Sequence, residues 1–81
     1  EPQKRARKRL TWSEQRELDS MEERILAAES LREEAERKLS DPAVYSDATA
    51  AAAAAQELDA AKREVDTLYA RWAELEERRA G

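Results

Sequence analysis

From Ala51 to Leu75 the apolar residues fall at alternating steps of three and four: Ala51, Ala54, Leu58, Ala61, Val65, Leu68, Trp72 and Leu75. That spacing keeps them on one side of an α-helix, as the a/d seam of a coiled coil over about three and a half heptads. A seam has to be buried against another apolar stripe, so this chain is committed to pairing helices. A second stripe precedes it: Leu18, Met21, Ile25, Ala28, Leu31, Ala35 and Leu39. Arg32 takes one seam position on the strict heptad, and Leu31 beside it is expected to compensate. Between the stripes stands Ser40-Asp41-Pro42. Pro42 cannot continue an amide ladder and biases Asp41 away from helical angles, so the first helix must end there.

The two stripes fit one antiparallel register. It pairs Leu18 with Leu75, Met21 with Trp72, Ile25 with Leu68, Ala28 with Val65, Ala35 with Leu58 and Leu39 with Ala54. Only Arg32 opposite Ala61 is a poor match. A short connection also makes neighbouring helices antiparallel. The expected fold is all-α: a two-helix antiparallel coiled-coil hairpin with a flexible basic N-terminal tail. Residues 1–10 read as tail or linker and 11–81 as the hairpin. Its first helix is expected at about 12–39, the turn at 40–46 and the second helix at about 47–79. Thr11-Trp12-Ser13-Glu14 has the form of a capping box that starts the first helix. Ser46 or Asp47 can cap the second.

Composition agrees with a coiled coil and removes several alternatives. Eighty-one residues make one domain at most. Charged residues are 42% of the chain, which alone would suit disorder, but the helical spacing of the apolar residues decides for structure. No apolar run approaches the roughly 20 residues that span a bilayer. The basic N-terminus lacks the apolar core of a signal peptide. Cys and His are absent, which removes thiol chemistry, disulfides and the usual zinc sites. The carboxylates lie along solvated helices with no pocket to shift them, so no catalytic or metal site is expected. A cytoplasmic location and a monomer are expected, the latter because the register closes within one chain.

The net charge of -4 is unevenly spread. Residues 1–9 hold Lys4, Arg5, Arg7, Lys8 and Arg9 against Glu1 alone, and the rest of the chain is strongly acidic. An antiparallel pair of helices would bring this tail together with Arg16, Arg71, Arg78 and Arg79 at its open end. These nine cations are the candidate nucleic-acid-binding residues. A solvated linker is the alternative for the tail, and a solvated face with i,i+4 pairs accounts for the shaft. Trp72 is expected in the core. Trp12 is expected to pack across the open end near Leu75, with stacking on an exposed base as the alternative. Val44 and Tyr45 are expected to fold over the turn.

Three stretches resemble a known family. Lys8-Arg9-Leu10-Thr11-Trp12-Ser13-Glu14-Gln15-Arg16-Glu17-Leu18 is similar to the opening of the C-terminal domain of Uup-type ABC-F ATPases. Asp41-Pro42-Ala43-Val44-Tyr45 resembles that domain's D-P-x-x-Y turn, and Leu68-Tyr69-Ala70-Arg71-Trp72-Ala73-Glu74-Leu75-Glu76 resembles its closing segment. The likeness covers about residues 4–79, with Trp12 where Tyr is commoner. It implies a module that follows two ATP-binding cassettes in a soluble ATPase acting on ribosomes or nucleic acid. In the Uup branch it implies a DNA-binding accessory domain. ATP and Mg are then expected only in the parent's cassettes, with no cofactor in this chain. Its single Gly leaves no phosphate-cradling loop. Two functions follow from the residues and the resemblance together. One is an accessory module that binds DNA or RNA through its basic end. The other is a protein-interaction or spacer coiled coil that docks on the parent ATPase or the ribosome.

Overall fold

The computed structural model describes residues 10–80. Their regular structure is entirely helical: α1 (Trp12–Ser40), α2 (Pro42–Tyr45) and α3 (Ala48–Ala80).

The ends of α1 are set by local chemistry. Thr11 is extended, at φ -72° and ψ 167°. Its hydroxyl accepts from the Glu14 amide at 3.1 Å, while the Glu14 carboxylate accepts from the Thr11 amide at 2.9 Å. Two amides that the helix cannot satisfy are thereby bonded. At the other end Arg37 and Lys38 complement the helix dipole. Asp41, at φ -85° and ψ 121°, then leaves the helix.

The connection is more ordered than a simple turn over 40–46. Ser40 completes α1, and Pro42–Tyr45 form a one-turn helix, so there are three helices among the described residues rather than two. Proline's fixed φ suits a first helical position, where its missing N–H costs nothing. Asp41 caps this turn by accepting from the Ala43 amide at 3.0 Å. Of the two candidate caps for α3, Asp47 does the work and accepts from the Ala50 amide at 3.1 Å. The Ser46 hydroxyl donates instead to the Pro42 carbonyl.

α1 and α3 pack along each other. Met21, Ile25, Ala28 and Ala35 are buried on α1, and Ala54, Ala61, Val65, Leu68 and Leu75 on α3. All nine are seam positions of the sequence stripes. The polar bonds between the helices ascend along α1 as they descend along α3. Glu14 joins Arg78, Glu17 joins Arg71, Glu29 joins Tyr69 and Lys38 joins Glu57. These pairs fall on either side of the register expected from the seams. The core is uneven along the rod. Met21, Ile25, Ala28, Val65, Leu68 and Leu75 form one cluster in the half away from α2. Towards α2, the buried side chains are alanines.

Three expectations from the sequence need correction. Leu31 does not compensate for Arg32; it is 60% exposed, and Arg32 itself lies half-buried in the seam. Bringing Leu31 inward would rotate α1 by about 100° and lift Ala28 and Ala35 out of the seam. Laying the aliphatic stem of one arginine in the seam disturbs less. Its Nε is nonetheless buried with no hydrogen-bond partner among the described residues. Tyr45 does not cover the turn. A single helical turn presents one side chain inward, Val44 takes that place half-buried, and Tyr45 stays exposed. Leu10, assigned by sequence to the tail, packs half-buried against the core cluster.

Candidate nucleic-acid interface

The start of α1 and the end of α3 share one end of the rod, and Glu14 ties them together. Its carboxylate completes the Thr11 capping box and also accepts from Arg78. One turn further along, Arg71 reaches across the pair. Its Nε and Nη2 donate to the two oxygens of Glu17 at 2.8 and 2.9 Å, a two-point contact that suits a planar guanidinium. The third arm of Arg71 donates to Glu74 at 2.7 Å, and Glu14 lies 3.9 Å away.

These contacts set the local electrostatics. The hydrogen bond from the Thr11 amide, with help from Arg78, holds the Glu14 carboxyl below the usual carboxylate range. The bond from Arg71 lowers Glu17 in the same way. Glu17 and Glu74 in turn hold Arg71 even more firmly in its charged form.

The nine candidate cations therefore divide. Lys4, Arg5, Arg7, Lys8 and Arg9 lie outside the described residues. Arg71 and Arg78 are engaged by carboxylates of the opposite helix, so much of their charge is already answered. Arg79 pairs with Glu76 within α3 at 2.6 Å, with both side chains largely in water. Arg16 makes no ion pair among the described residues; its guanidinium carbon sits 5.0 Å from the centre of the Trp12 ring. Trp12 does not pack across the open end as expected, and is 75% exposed. Leu10 and Leu18 pack half-buried against the core cluster instead. Trp72 is half-buried against the core, its ring tilted on Tyr69 at 6.1 Å.

The missed residues are the acids. Counting arginines at the open end overlooked Glu14, Glu17, Glu74 and Glu76, which fold onto the same end. The signal was present in the same stretches as the arginines, since an antiparallel pair brings both signs of charge together. Halfway along the rod, Leu31, Ala35, Ala60 and Ala61 line a shallow groove edged by Glu34, Lys38, Glu57 and Glu64. No group of acids suited to a metal ion occurs among the described residues, and no helix there is long and apolar enough to cross a membrane.

A family model described as ABC transporter C-terminal domain matches residues 9–77. The chain belongs to this family. The assignment agrees with the resemblance to the C-terminal domain of Uup-type ABC-F ATPases. In this ABC transporter C-terminal domain, the matched span takes in the capping box, α2, both faces of the core and the Arg71 contacts. It stops short of Arg78 and Arg79 and leaves out Lys4, Arg5, Arg7 and Lys8. No curated protein and no solved structure matches the chain.

Proposed function

We propose that this domain is a non-catalytic accessory module of a cytoplasmic ABC-F ATPase. In this reading it is a monomeric antiparallel coiled-coil hairpin that binds nucleic acid, DNA foremost, through its basic end. One observation carries the reading: five of the fifteen basic side chains, but only one of the nineteen acidic ones, lie in residues 1–9. Leu10, the residue that follows this run, packs half-buried against the core cluster. Arg16 and the exposed Arg79 extend the set, since a solvated ion pair is worth little and can exchange Glu76 for a phosphate. Arg71 and Arg78 act as scaffold that holds the two helices together at this end. Contacts of this kind are made to phosphates, which gives salt-sensitive binding of low sequence specificity.

The acidic shaft and the carboxylate-bound arginines favour a second reading. In it the rod is a spacer or protein-interaction element that docks on the parent's cassettes or on the ribosome. The groove beside the exposed Leu31 is then the first surface to consider.

Replacing Lys4, Arg5, Arg7, Lys8 and Arg9 together with Gln distinguishes the two. Binding of duplex DNA should be mostly lost while circular dichroism keeps its helical signal. Each lost phosphate contact should reduce the slope of log affinity against log salt by about 0.9. Unchanged affinity and slope would reduce the tail to a linker. No binding by the unaltered chain at low salt would favour the docking reading.

A further inference from the structure

Midway along the rod, α1 and α3 leave a groove on one side of their seam. Its floor is made of small residues: Ala35 and Ala61 are buried there, and Ala60 beside them is exposed. Leu31 stands on one wall with 60% of its surface in water. Turning it inward would lift Ala28 and Ala35 out of the seam, so the rod itself does not bury it. The groove also begins where the large core side chains give out, since the residues buried from there towards α2 are alanines. Two helices that meet through alanines bury little area, and a third helix can come close over them.

The rim decides what can lie there. Three carboxylates, of Glu34, Glu57 and Glu64, edge the groove against the one ammonium of Lys38. Lys38 reaches Glu57 at 3.0 Å across the end nearer α2. Glu34 on α1 and Glu64 on α3 make no ion pair among the described residues, so each wall keeps an unanswered carboxylate. A second copy of the chain would set carboxylates against carboxylates, and a nucleic acid would bring phosphates to them. An apolar stripe with cations along both sides matches floor and rim together. The stems of those cations would also cover apolar surface. The chain's own basic run, residues 1–9, has no large apolar side chain to place on the floor. We infer that the groove takes one amphipathic helix of a partner protein, with its apolar side chains against Leu31 and the alanines and lysine or arginine on both flanks. The inference rests on the docking reading above and names the chemistry of the partner. It does not depend on nucleic-acid binding at the basic end.

The probe is a peptide of about 18 residues, long enough to hold a helix on contact, with leucines at steps of three and four and lysines on both sides of them. Its twin carries glutamates for the lysines. At low salt the lysine peptide should shift the amide resonances of Leu31, Ala35, Ala60 and Ala61 in the isotope-labelled chain, and the glutamate peptide should not. Leu31→Gln should weaken the lysine peptide about 10-fold, the loss expected when a leucine is no longer buried. Its unfolding midpoint should stay in place, because Leu31 is already exposed. Glu34→Lys together with Glu64→Lys should transfer binding to the glutamate peptide. Shifts elsewhere on the rod, with affinity unaffected by Leu31→Gln, overturn the groove while the docking reading stands. A dimer in sedimentation that Leu31→Gln abolishes also overturns the inference, by making a second copy the occupant. If neither peptide shifts any resonance, the groove and the docking reading fall together.

Discussion

Leu68 shows how far a single residue can be read from spacing. It falls on the α3 seam, it is 5% exposed, and it belongs to the cluster with Ile25, Val65 and Leu75. Truncation removes buried methyl groups and leaves a void that two straight helices cannot close. Leu68→Ala should therefore cost about 2–4 kcal/mol in urea or thermal unfolding. A melt that barely moves would mean that this position is not core. Trp12 shows where such reading stops. Both it and Leu10 sit beside the capping box, and either could cover the end of the core. That Leu10 rather than Trp12 packs on the core leaves no trace in periodicity. Leu31 is a similar case: it sits one step from the seam, and only the rotation of the whole helix decides whether it is in or out.

At the scale of elements, Glu14 and Glu17 do more than decorate α1. Glu14 secures the helix start and meets Arg78, and Glu17 meets Arg71, so both helices are fixed at the same end. Both carboxyls are held below their usual range in the fold, Glu14 first by the Thr11 amide and Glu17 first by Arg71. Unfolding returns them to about 4.3. A group lowered in this way contributes its stability above the unfolded value and loses it as pH falls through the folded one. The melting temperature should thus hold from neutrality to about pH 5 and decline below the ordinary carboxylate range. Changing Glu14 and Glu17 together to Gln should lower the neutral melting temperature and flatten the acid decline. An equal acid decline in the double variant would place its cause elsewhere. These bonds were hard to foresee, because each joins residues more than fifty positions apart. The one-turn α2 was hidden for the opposite reason: it is too short to have a period, and only Asp41-Pro42 marks it.

For the molecule as a whole, the alternating steps of three and four made the two long helices and their buried faces legible. Charge was legible only as a sum over each end, because pairing between carboxylates and guanidiniums depends on side-chain reach. Arg32 stands between these cases. It was visible as a defect of the seam, and the structure keeps it there with a buried Nε that has no partner. Such a residue subtracts stability, as an unsatisfied buried donor does, by about 1–3 kcal/mol. In the expected register it meets Ala61, a small side chain. Sliding α3 one way by half a heptad or a whole one would set it against Val65 or Leu68, where its stem has no room. Sliding by a heptad the other way would leave Leu75 facing Thr11. Polar seam residues elsewhere fix alignment at a cost in stability, and the same should hold here. Arg32→Leu should raise the melting temperature but add a second set of amide resonances. A single set would show that alignment is secured elsewhere. The weakest contact of the seam then works as an address: it marks one alignment of the helices as correct without strengthening it.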